Sequence, residues 1–409
     1  MHEISQNLNR AKNLKGQPLG GIRVLDFSHV LAGPMCTRLL VDLGADVLRV
    51  ESTKRADTPW RSASDPELKR TLAYVMVHRG KKSITIDLKN EAGAELARRL
   101  AAVADVVVEN FSAGVMHRLG LDYACLAPLN PRLIFLSMSG YGHYGPRKDW
   151  TSMNTNLQAY SGMMTVTDKE ENPPVAISNS WMDYVGGLHG CYSVIQALTQ
   201  REKDGKGRNI DLAQFESGVG TLGALLLAGI VDGTGPKRMG NRSASAAPQG
   251  CYPCSGEDQW CAISVESDEH WRSLAQCIGD PDLMKDERFE TVTGRLRHHD
   301  EIDRWIEAWT RSRTPNEAEK ELKAIGVPAQ HMRRVNEILP PNEDSIFRLR
   351  PGKPRPTLLS GLPFSFAPHN KQTFGEAPRL GEHTEWGLKS WLGLDDSGIV
   401  RLREAGALA

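Results

Sequence analysis

Asp183 is the residue of this sequence best placed to carry out chemistry. Apolar residues flank it, Gly186 and Gly187 follow closely, and an apolar helical pattern continues to Arg201. A carboxylate at such a helix start can be partly desolvated yet reachable, and the glycines let a ligand approach the backbone. It can then attack an activated acyl group as a nucleophile. The alternative is that Asp183 is a helix N-cap, a common role for aspartate.

The elements that would position Asp183 alternate between short apolar strands and helices. Strands are predicted at 21–27, 47–51, 83–88, 106–109, 133–138 and 209–213. This alternation predicts an α/β fold with a Rossmann-like, doubly wound parallel sheet. The first turn lacks the G-x-G-x-x-G pattern, so a dinucleotide-binding dehydrogenase is excluded.

The second half of the sequence predicts a smaller domain. The loop-rich stretch 233–250 is a candidate domain boundary, and amphipathic helices follow at 268–326. Residues 340–368 contain many prolines and predict an extended connector. Two helices are predicted near the C-terminus, at 384–394 and 397–405.

Charge and cysteine content exclude several classes of protein. Lys plus Arg and Asp plus Glu number 50 each, which argues against a nucleic-acid-coating or polybasic membrane protein. No apolar run reaches about 18 residues, so no membrane span is expected, and we predict a cytoplasmic protein. The seven cysteines suggest reduced thiols. Cys251-x-x-Cys254 fits a β-hairpin with buried thiols better than a metal site, so no bound metal is expected.

Polar turns follow three of the predicted strands, at 26–34, 109–114 and 137–146. Ligands bind at this end of the strands in open α/β sheets. His29 is equally consistent with a ligand contact and with a histidine at the start of a helix whose hydrogen bonds are satisfied within the protein. Glu109 fits a strand-end surface charge. The basic residues that could hold a phosphate-bearing ligand, if they are not ordinary surface charges, are Arg79, Lys81, Lys82, Lys89 and Arg118.

The order and spacing of these segments resemble the class III CoA-transferases, which include formyl-CoA and carnitine CoA-transferases. The matching segments lie between about residues 18 and 265, and they are 21–26, 31–34, 42–47, 79–89, 104–111, 130–134, 139–142, the Asp183 segment and 205–208. Leu31, Ser52 and Thr155 depart from the best-known member, and so does 246–250 in place of a tetraglycine segment. Formyl and oxalate substrates are therefore not expected.

The resemblance implies that Asp183 is the nucleophilic aspartate of a CoA-transferase. Coenzyme A would be a substrate moiety, with no permanently bound cofactor. The positions that match the family's coenzyme A contacts are Leu31, Ala32, Ile86, Lys89, Asn110, Phe111, Ser112 and Arg118. Arg118 or Lys89 would lie near the nucleotide phosphates or the adenine.

The resemblance also implies the domain organisation and assembly. Residues 1–230 would form the first part of a large CoA-binding domain, 231–335 a smaller mixed domain, and 336–409 a connector and helices that return to the large domain. Two chains would thread through each other as interlocked rings. We therefore expect a homodimer, or a heteromer with a paralogous subunit.

Two other functions remain as alternatives. An α-methylacyl-CoA racemase, which shares the fold, needs two acid/base groups. The Gly-His-Asp sequence that racemases carry before the aspartate segment is absent from residues 152–162. A non-catalytic subunit would be expected to lack the aspartate. Asp183 therefore favours a transferase.

Charged and aromatic residues bear on the identity of the acyl substrate. We expect a succinyl-CoA donor and a dicarboxylic acceptor. Arg147, Lys148 and Arg242 are candidates to pair with a second carboxylate. The aromatic residues near the predicted site fit either a bulky acid or packing between domains, and they are Trp150, Tyr160, Trp181 and Tyr184.

Overall fold

The structure, a computed structural model, describes residues 17–54, 57, 72–233, 235, 237–338, 347–350, 357–364 and 375–408. The chain divides into two compact units. The larger unit consists of Met1–Met164, Ala176–Gly235 and Ile346–Ala409, and the smaller of Thr165–Val175 and Pro236–Ser345. The segment Thr165–Val175, which the sequence analysis placed in the large domain, therefore groups with the smaller unit.

A six-stranded parallel sheet forms the centre of the larger unit. Its strands are β1 (Arg23–Asp26), β2 (Asp46–Glu51), β3 (Lys82–Thr85), β4 (Val106–Glu109), β5 (Ile134–Ser139) and β6 (Arg208–Ala213). Their order is β3-β2-β1-β4-β5-β6, and every neighbouring pair is parallel. The predicted doubly wound α/β fold is confirmed. The strand order reverses between β1 and β4, which opens a ligand-binding crevice at their carboxyl ends.

Helices follow most of these strands. In chain order they are α1 (Ala32–Asp42), α2 (Leu72–His78), α3 (Glu91–Ala102), α4 (Val115–Arg118), α5 (Tyr123–Leu126), α6 (Asn154–Tyr160), α7 (Trp181–Asp204), α8 (Gln214–Gly220) and α9 (Gly223–Asp232). Buried residues of α1 and α7 pack together with one face of the sheet. Residues of α3 pack on the other face, so strands such as β4 are buried throughout.

The apolar stretch after β6 forms two helices, α8 and α9, rather than one continuous helix. Gly220 and Gly223 flank the break, and α8 and α9 are bent by 70°. Glycine is a poor helix former, so a break at this point is physically reasonable. No single helix in the described ranges is long and apolar enough to cross a membrane, although this bent pair passes on length and composition. A cytoplasmic location remains a prediction.

The smaller unit combines a three-stranded antiparallel sheet with helices. Its strands β7 (Gln249–Pro253), β8 (Trp260–Ser264) and β9 (Ala329–His331) lie in that order. The predicted cysteine hairpin is present as β7 and β8, with Cys254 and Cys261 buried and Cys251 exposed. The helices are α10 (Asp268–Ile278), α11 (Pro281–Lys285), α12 (Val292–Arg297), α13 (His299–Arg311) and α14 (Pro315–Ala324).

The C-terminal segment contributes to the larger unit. Strands β10 (Phe347–Arg350) and β11 (Thr357–Ser360) form an antiparallel pair. Much of the predicted connector at 340–368 lies outside the described residues. Helices α15 (Thr384–Leu392) and α16 (Asp396–Glu404) follow, as predicted. Leu388, Trp391 and Ile399 pack on the same side of the sheet as α3.

Candidate active site

Asp183 lies in the first turn of α7, as its third residue. The N-cap position belongs to Ser180, and the N–H of Asp183 donates to the Ser180 carbonyl at 2.9 Å. The alternative assignment of Asp183 as the N-cap is therefore wrong. Asn179 and Ser180 both adopt left-handed backbone conformations, with φ of 62° and 54°. Strained residues of this kind concentrate at functional sites.

Two amide side chains of α6 hold the segment that precedes Asp183. The buried Gln158 accepts from the Ile177 N–H at 2.7 Å and donates to the Ile177 carbonyl at 2.8 Å. Asn154 accepts from the Met182 N–H at 3.1 Å. These bonds fix the backbone on both sides of the left-handed turn. Sequence analysis missed both residues, although their spacing of one helical turn places them on one face.

The environment of Asp183 favours a reactive carboxylate. Burial raises the pKa of Asp183 to about 6, and a hydrogen bond from its own backbone N–H offsets only part of this effect. Among the described residues, no salt bridge joins Asp183 to a cationic side chain. A weakly solvated carboxylate that remains mostly ionised at neutral pH is a suitable nucleophile.

Helix α7 approaches α1 very closely one turn after Asp183. A Cβ added at Gly187 would lie 2.8 Å from Met35 Cγ and 3.0 Å from the Ala32 carbonyl oxygen. Only glycine permits this approach. Gly187 and Asp183 are four residues apart on one helix face, so this close contact with α1 lies one turn from Asp183.

The predicted contacts Leu31 and Ala32 form the start of α1. Both are buried; Leu31 is the N-cap and has no side-chain capping bond. The first backbone N–H groups of a helix have no intrahelical acceptor, so those of Ala32 and Gly33 can bind an oxygen atom. A Cβ at Gly33 would lie 2.3 Å from Ser28 Cβ, so the strand-end turn folds tightly against the helix start.

The predicted segment after β4 contacts the turn that follows β1, at the place where the strand order reverses. The His29 N–H donates to Asn110 Oδ1 and the Asn110 side chain donates to the His29 carbonyl, both at 2.8 Å. The His29 and Phe111 rings lie 5.4 Å apart. Ser112 follows and is exposed. His29, Asn110 and Phe111 therefore form one cluster at the carboxyl ends of β1 and β4.

Glu109 is a buried residue of the site rather than a surface charge. It is completely buried, and burial raises its pKa to about 7. Its Oε2 accepts from the Phe111 N–H at 2.7 Å, while its Oε1 lies 3.7 Å from His143 Nε2. Among the described residues, neither Oε1 nor Nε2 has a hydrogen-bond partner. The position of Glu109 at a strand end gave no sequence signal of this burial.

The five basic residues proposed to hold phosphate have different environments. Arg79 is buried against Asp42 at 2.6 Å and Lys81 against Asp26 at 3.2 Å. Lys82 pairs with Asp46. These three cations already have carboxylate partners within the fold.

Lys89 and Arg118 are exposed and make no ion pair in the described part of the chain. They remain the basic candidates for a phosphate. The predicted contact Ile86 is completely buried at the end of β3, where its N–H donates to the Glu51 carbonyl. That Ile86 contacts a ligand therefore remains a prediction.

The structure brings together only part of the aromatic group. Trp150 and Tyr160 make edge contacts with Tyr141, at 5.5 and 5.4 Å between ring centroids. Arg147 lies over both, 5.4 Å from the Trp150 centroid and 5.0 Å from that of Tyr160. Trp181 is 40% exposed at the start of α7.

The other two candidate cations have acidic partners. Lys148 pairs with Asp149 at 3.0 Å. Arg242 pairs with Asp300 and Asp303 within the smaller unit, each at 2.5 Å. Over the residues that the structure describes, no cluster of three His, Cys, Asp or Glu side chains is arranged to hold a metal ion.

Comparison with known proteins agrees with this geometry. Residues 19–384 match the model for CoA-transferase family III. The chain is 32% identical to succinyl-CoA–D-citramalate CoA-transferase of Chloroflexus aurantiacus, covering 95% of this chain and 97% of the relative. It is 31% identical to the succinyl-CoA–L-malate CoA-transferase beta subunit of that organism, covering 94% and 97%.

A solved structure is similar over most of its length. The CAIB/BAIF family protein from Brucella suis aligns with a TM-score of 0.82 and 32% identity, covering 90% of this chain and 98% of that one. Because the family model matches most of the chain and two CoA-transferases are similar to it over nearly its whole length, this protein belongs to CoA-transferase family III.

Proposed function

We propose that this enzyme moves coenzyme A from an acyl-CoA donor to a carboxylic acid acceptor, with Asp183 as the nucleophile. The observation that carries this proposal is the half-buried carboxylate of Asp183, with its raised pKa, in the first turn of α7. The coenzyme A moiety would bind in the crevice where the strand order reverses, as ligands do in α/β folds.

The first half-reaction forms a covalent enzyme intermediate. An Asp183 carboxylate oxygen attacks the donor thioester carbon, the C–S bond breaks, and a mixed anhydride and coenzyme A thiolate result. The thiolate then attacks the Asp183 acyl carbon. The donor leaves as a free carboxylate, and an aspartyl-CoA thioester remains.

The second half-reaction reverses these steps with the acceptor. The acceptor carboxylate attacks the aspartyl thioester, expels the thiolate and forms a second mixed anhydride. Attack of the thiolate on the acceptor acyl carbon yields the new acyl-CoA and restores Asp183. No proton or electron is gained or lost overall, which agrees with a site built around one carboxylate.

The proposed coenzyme A site lies beside Asp183. The N–H groups at the start of α1, at Ala32 and Gly33, are suited to hold a carbonyl or oxyanion oxygen. Asn110 and Phe111 contact the same turn through His29. Lys89 and Arg118 would face the nucleotide phosphates, and Leu31, Ile86 and Ser112 would complete the contacts.

We propose succinyl-CoA as donor and a dicarboxylic acid as acceptor. The two relatives named above carry succinyl-CoA and a dicarboxylic acid in their names. Arg147, which has no ion pair in the described ranges and lies over Trp150 and Tyr160, also favours a bulkier acid as a second candidate.

We further propose a homodimer, formed as interlocked rings, or a heteromer with a related subunit. Helix α9 presents a strongly apolar, exposed surface, with Leu227, Ile230 and Val231 exposed by 62, 79 and 74%. Surfaces of this kind usually mark an interface. The beta-subunit relative supports the heteromer as the alternative.

The test is intact-protein mass spectrometry after mixing the enzyme with succinyl-CoA and other acyl-CoA donors, with hydroxylamine added to trap acyl intermediates. The wild type should form a hydroxylamine-sensitive adduct, and Asp183→Ala should form none, because the nucleophilic oxygen is absent. Asp211→Ala is a control that removes a carboxylate from β6 and should retain the adduct.

A racemase would behave differently. It would form no adduct with any donor, and it would exchange the α-hydrogen of a branched acyl-CoA for solvent deuterium. Exchange without an adduct would reject the transferase mechanism.

A further inference from the structure

Three consecutive backbone N–H groups in the turn between β1 and α1 are held by side chains from three different segments. Ser28 N–H donates to Asp26 at 2.9 Å, and His29 N–H donates to Asn110 at 2.8 Å. Val30 N–H donates to both carboxylate oxygens of Asp57, at 3.1 and 3.3 Å. Each of these three N–H groups therefore has its own side-chain acceptor.

Val30 occupies a conformation that its side chain disfavours. Its φ is 63°, in the left-handed region, where a β-branched residue is rare. The side chain is 40% exposed, so packing of the Val30 side chain contributes little to holding this conformation. Strain of about 1–3 kcal/mol persists only where surrounding bonds impose it.

Asp57 is well placed to impose this conformation. It is buried, and its Oδ2 lies 2.6 Å from Nη2 of the completely buried Arg49. The same guanidinium donates through Nη1 to the Ser28 carbonyl at 2.7 Å. His29 Nδ1 lies 3.6 Å from the Asp57 carboxylate. Asp57 and Arg49 therefore bind the turn at its amide and carbonyl groups together.

We propose that Asp57 is a positioning residue that holds Val30 in its left-handed conformation and so presents the start of α1 to the acyl-CoA substrate. The inference rests on the proposed function, because Leu31 and Ala32 follow Val30 directly and are the proposed contacts to coenzyme A. Asp57 itself does not touch the substrate. It acts through the bond to the Val30 N–H.

Asp57→Ala is the first test. Release of Val30 should raise the KM for acyl-CoA about tenfold and change kcat less than about twofold, which corresponds to the loss of one charge-assisted hydrogen bond. Amide hydrogen exchange of the peptide covering 27–35 should become faster. Asp46→Asn is the control, because Asp46 is an ion-paired carboxylate at the other end of β2 and should leave both measurements unchanged.

Val30→Gly in the Asp57→Ala protein tests the strain directly. Glycine adopts positive φ without cost, so the double variant should recover much of the wild-type KM while its melting temperature stays low. A purely structural role would lower the melting temperature and leave the KM unrescued. Asp57→Asn, which keeps an acceptor for the Val30 N–H, should have a KM close to the wild type.

Val30→Pro covers the case in which Asp57→Ala does not fold. Proline fixes φ near −65° and removes the N–H, so it should raise the KM as Asp57→Ala does, with the Arg49 ion pair intact. An unchanged KM and unchanged exchange at 27–35 in the folded variants would overturn the inference. Faster exchange in Asp57→Ala, with no acyl-CoA binding by the wild type, would instead overturn the proposed coenzyme A site and leave the role of Asp57 in the turn standing.

Discussion

At the scale of single residues, Asp183 and Asp57 show how environment separates two carboxylates. Asp57 lies against Arg49 and His29, and hydrogen bonding with these cationic and polar groups outweighs burial and lowers its pKa. For Asp183, burial raises the pKa, and within the described residues its own backbone N–H is the one group that offsets this effect. The first is stabilised as a fixed anion, while the second keeps its reactivity.

The raised pKa of Asp183 predicts a pH-dependent rate. In the proposed mechanism the ionised carboxylate attacks the thioester, so kcat/KM for acyl-CoA should increase as the pH rises through about 6 and then level off. Steady-state rates at constant ionic strength measure this profile. Glu109→Gln is the control, because the pKa of Glu109 is about 7, and the midpoint near 6 should survive in that variant. A profile that is flat in the wild type between pH 5 and 7 would contradict the assignment.

The buried, ionised carboxylate of Asp183 should also lower the stability of the folded protein. The folded pKa of about 6 exceeds the ordinary 3.8, so the native state binds more protons between these values and its stability falls as the pH rises through them. The free energy of unfolding of Asp183→Asn should therefore exceed that of the wild type by up to about 3 kcal/mol at pH 8, and this difference should vanish below about pH 4. Urea unfolding at both pH values measures it; an equal gain at both would exclude ionisation as the cause.

At the scale of elements, the contact between α1 and α7 positions the site. Gly187 brings the second turn of α7 against the Ala32 carbonyl, and Gln158 and Asn154 of α6 hold the backbone around the start of α7. Contacts with α1 and α6 therefore fix the backbone of α7 on both sides of Asp183. A shift of α7 should change the chemistry as well as stability.

Gly187→Ala tests this packing. The new methyl group would collide with Met35 Cγ and the Ala32 carbonyl, so we expect a loss of about 1–3 kcal/mol in unfolding free energy and a lower kcat. The matched variant is Gly223→Ala in α9, where no atom lies within 4 Å of the added Cβ. It should be neutral or stabilise by up to about 1 kcal/mol, because alanine is the better helix former. Equal effects of the two substitutions on kcat would show that the close contact does not position Asp183.

At the scale of the whole molecule, the proposed dimer would cover the exposed apolar surface of α9. Light scattering should give twice the chain mass for the wild type. Leu227→Glu together with Ile230→Lys should weaken assembly or cause aggregation, because charges would replace the apolar side chains of the proposed interface. Val400→Glu, at a 47% exposed residue of α16, is the control and should remain a dimer. A monomeric wild type would reject the proposed dimer.

The alternation of strands and helices, the apolar stretch after Asp183 and the lack of a dinucleotide fingerprint are local patterns, and they were sufficient to predict the parallel sheet and the candidate nucleophile. Local patterns also located the turn at 28–31 and the segment at 110–112, because the carboxyl ends of parallel strands share one edge. They could not show which charged residues the fold would bury. Arg79, Lys81 and Lys82 looked like phosphate ligands, and the fold pairs each with an acid.

The sequence by itself determined the class of fold, the family resemblance and Asp183, since each depends on residue order and short-range periodicity. Only the tertiary structure revealed that Gln158 and Asn154 hold the backbone on either side of the turn before Asp183, that Gly187 brings two helices together, and that Asp57 binds the Val30 N–H. The physical reason is that hydrogen bonding, close approach and desolvation depend on distances between residues far apart in the chain. Those distances exist only once the sheet and its helices have packed.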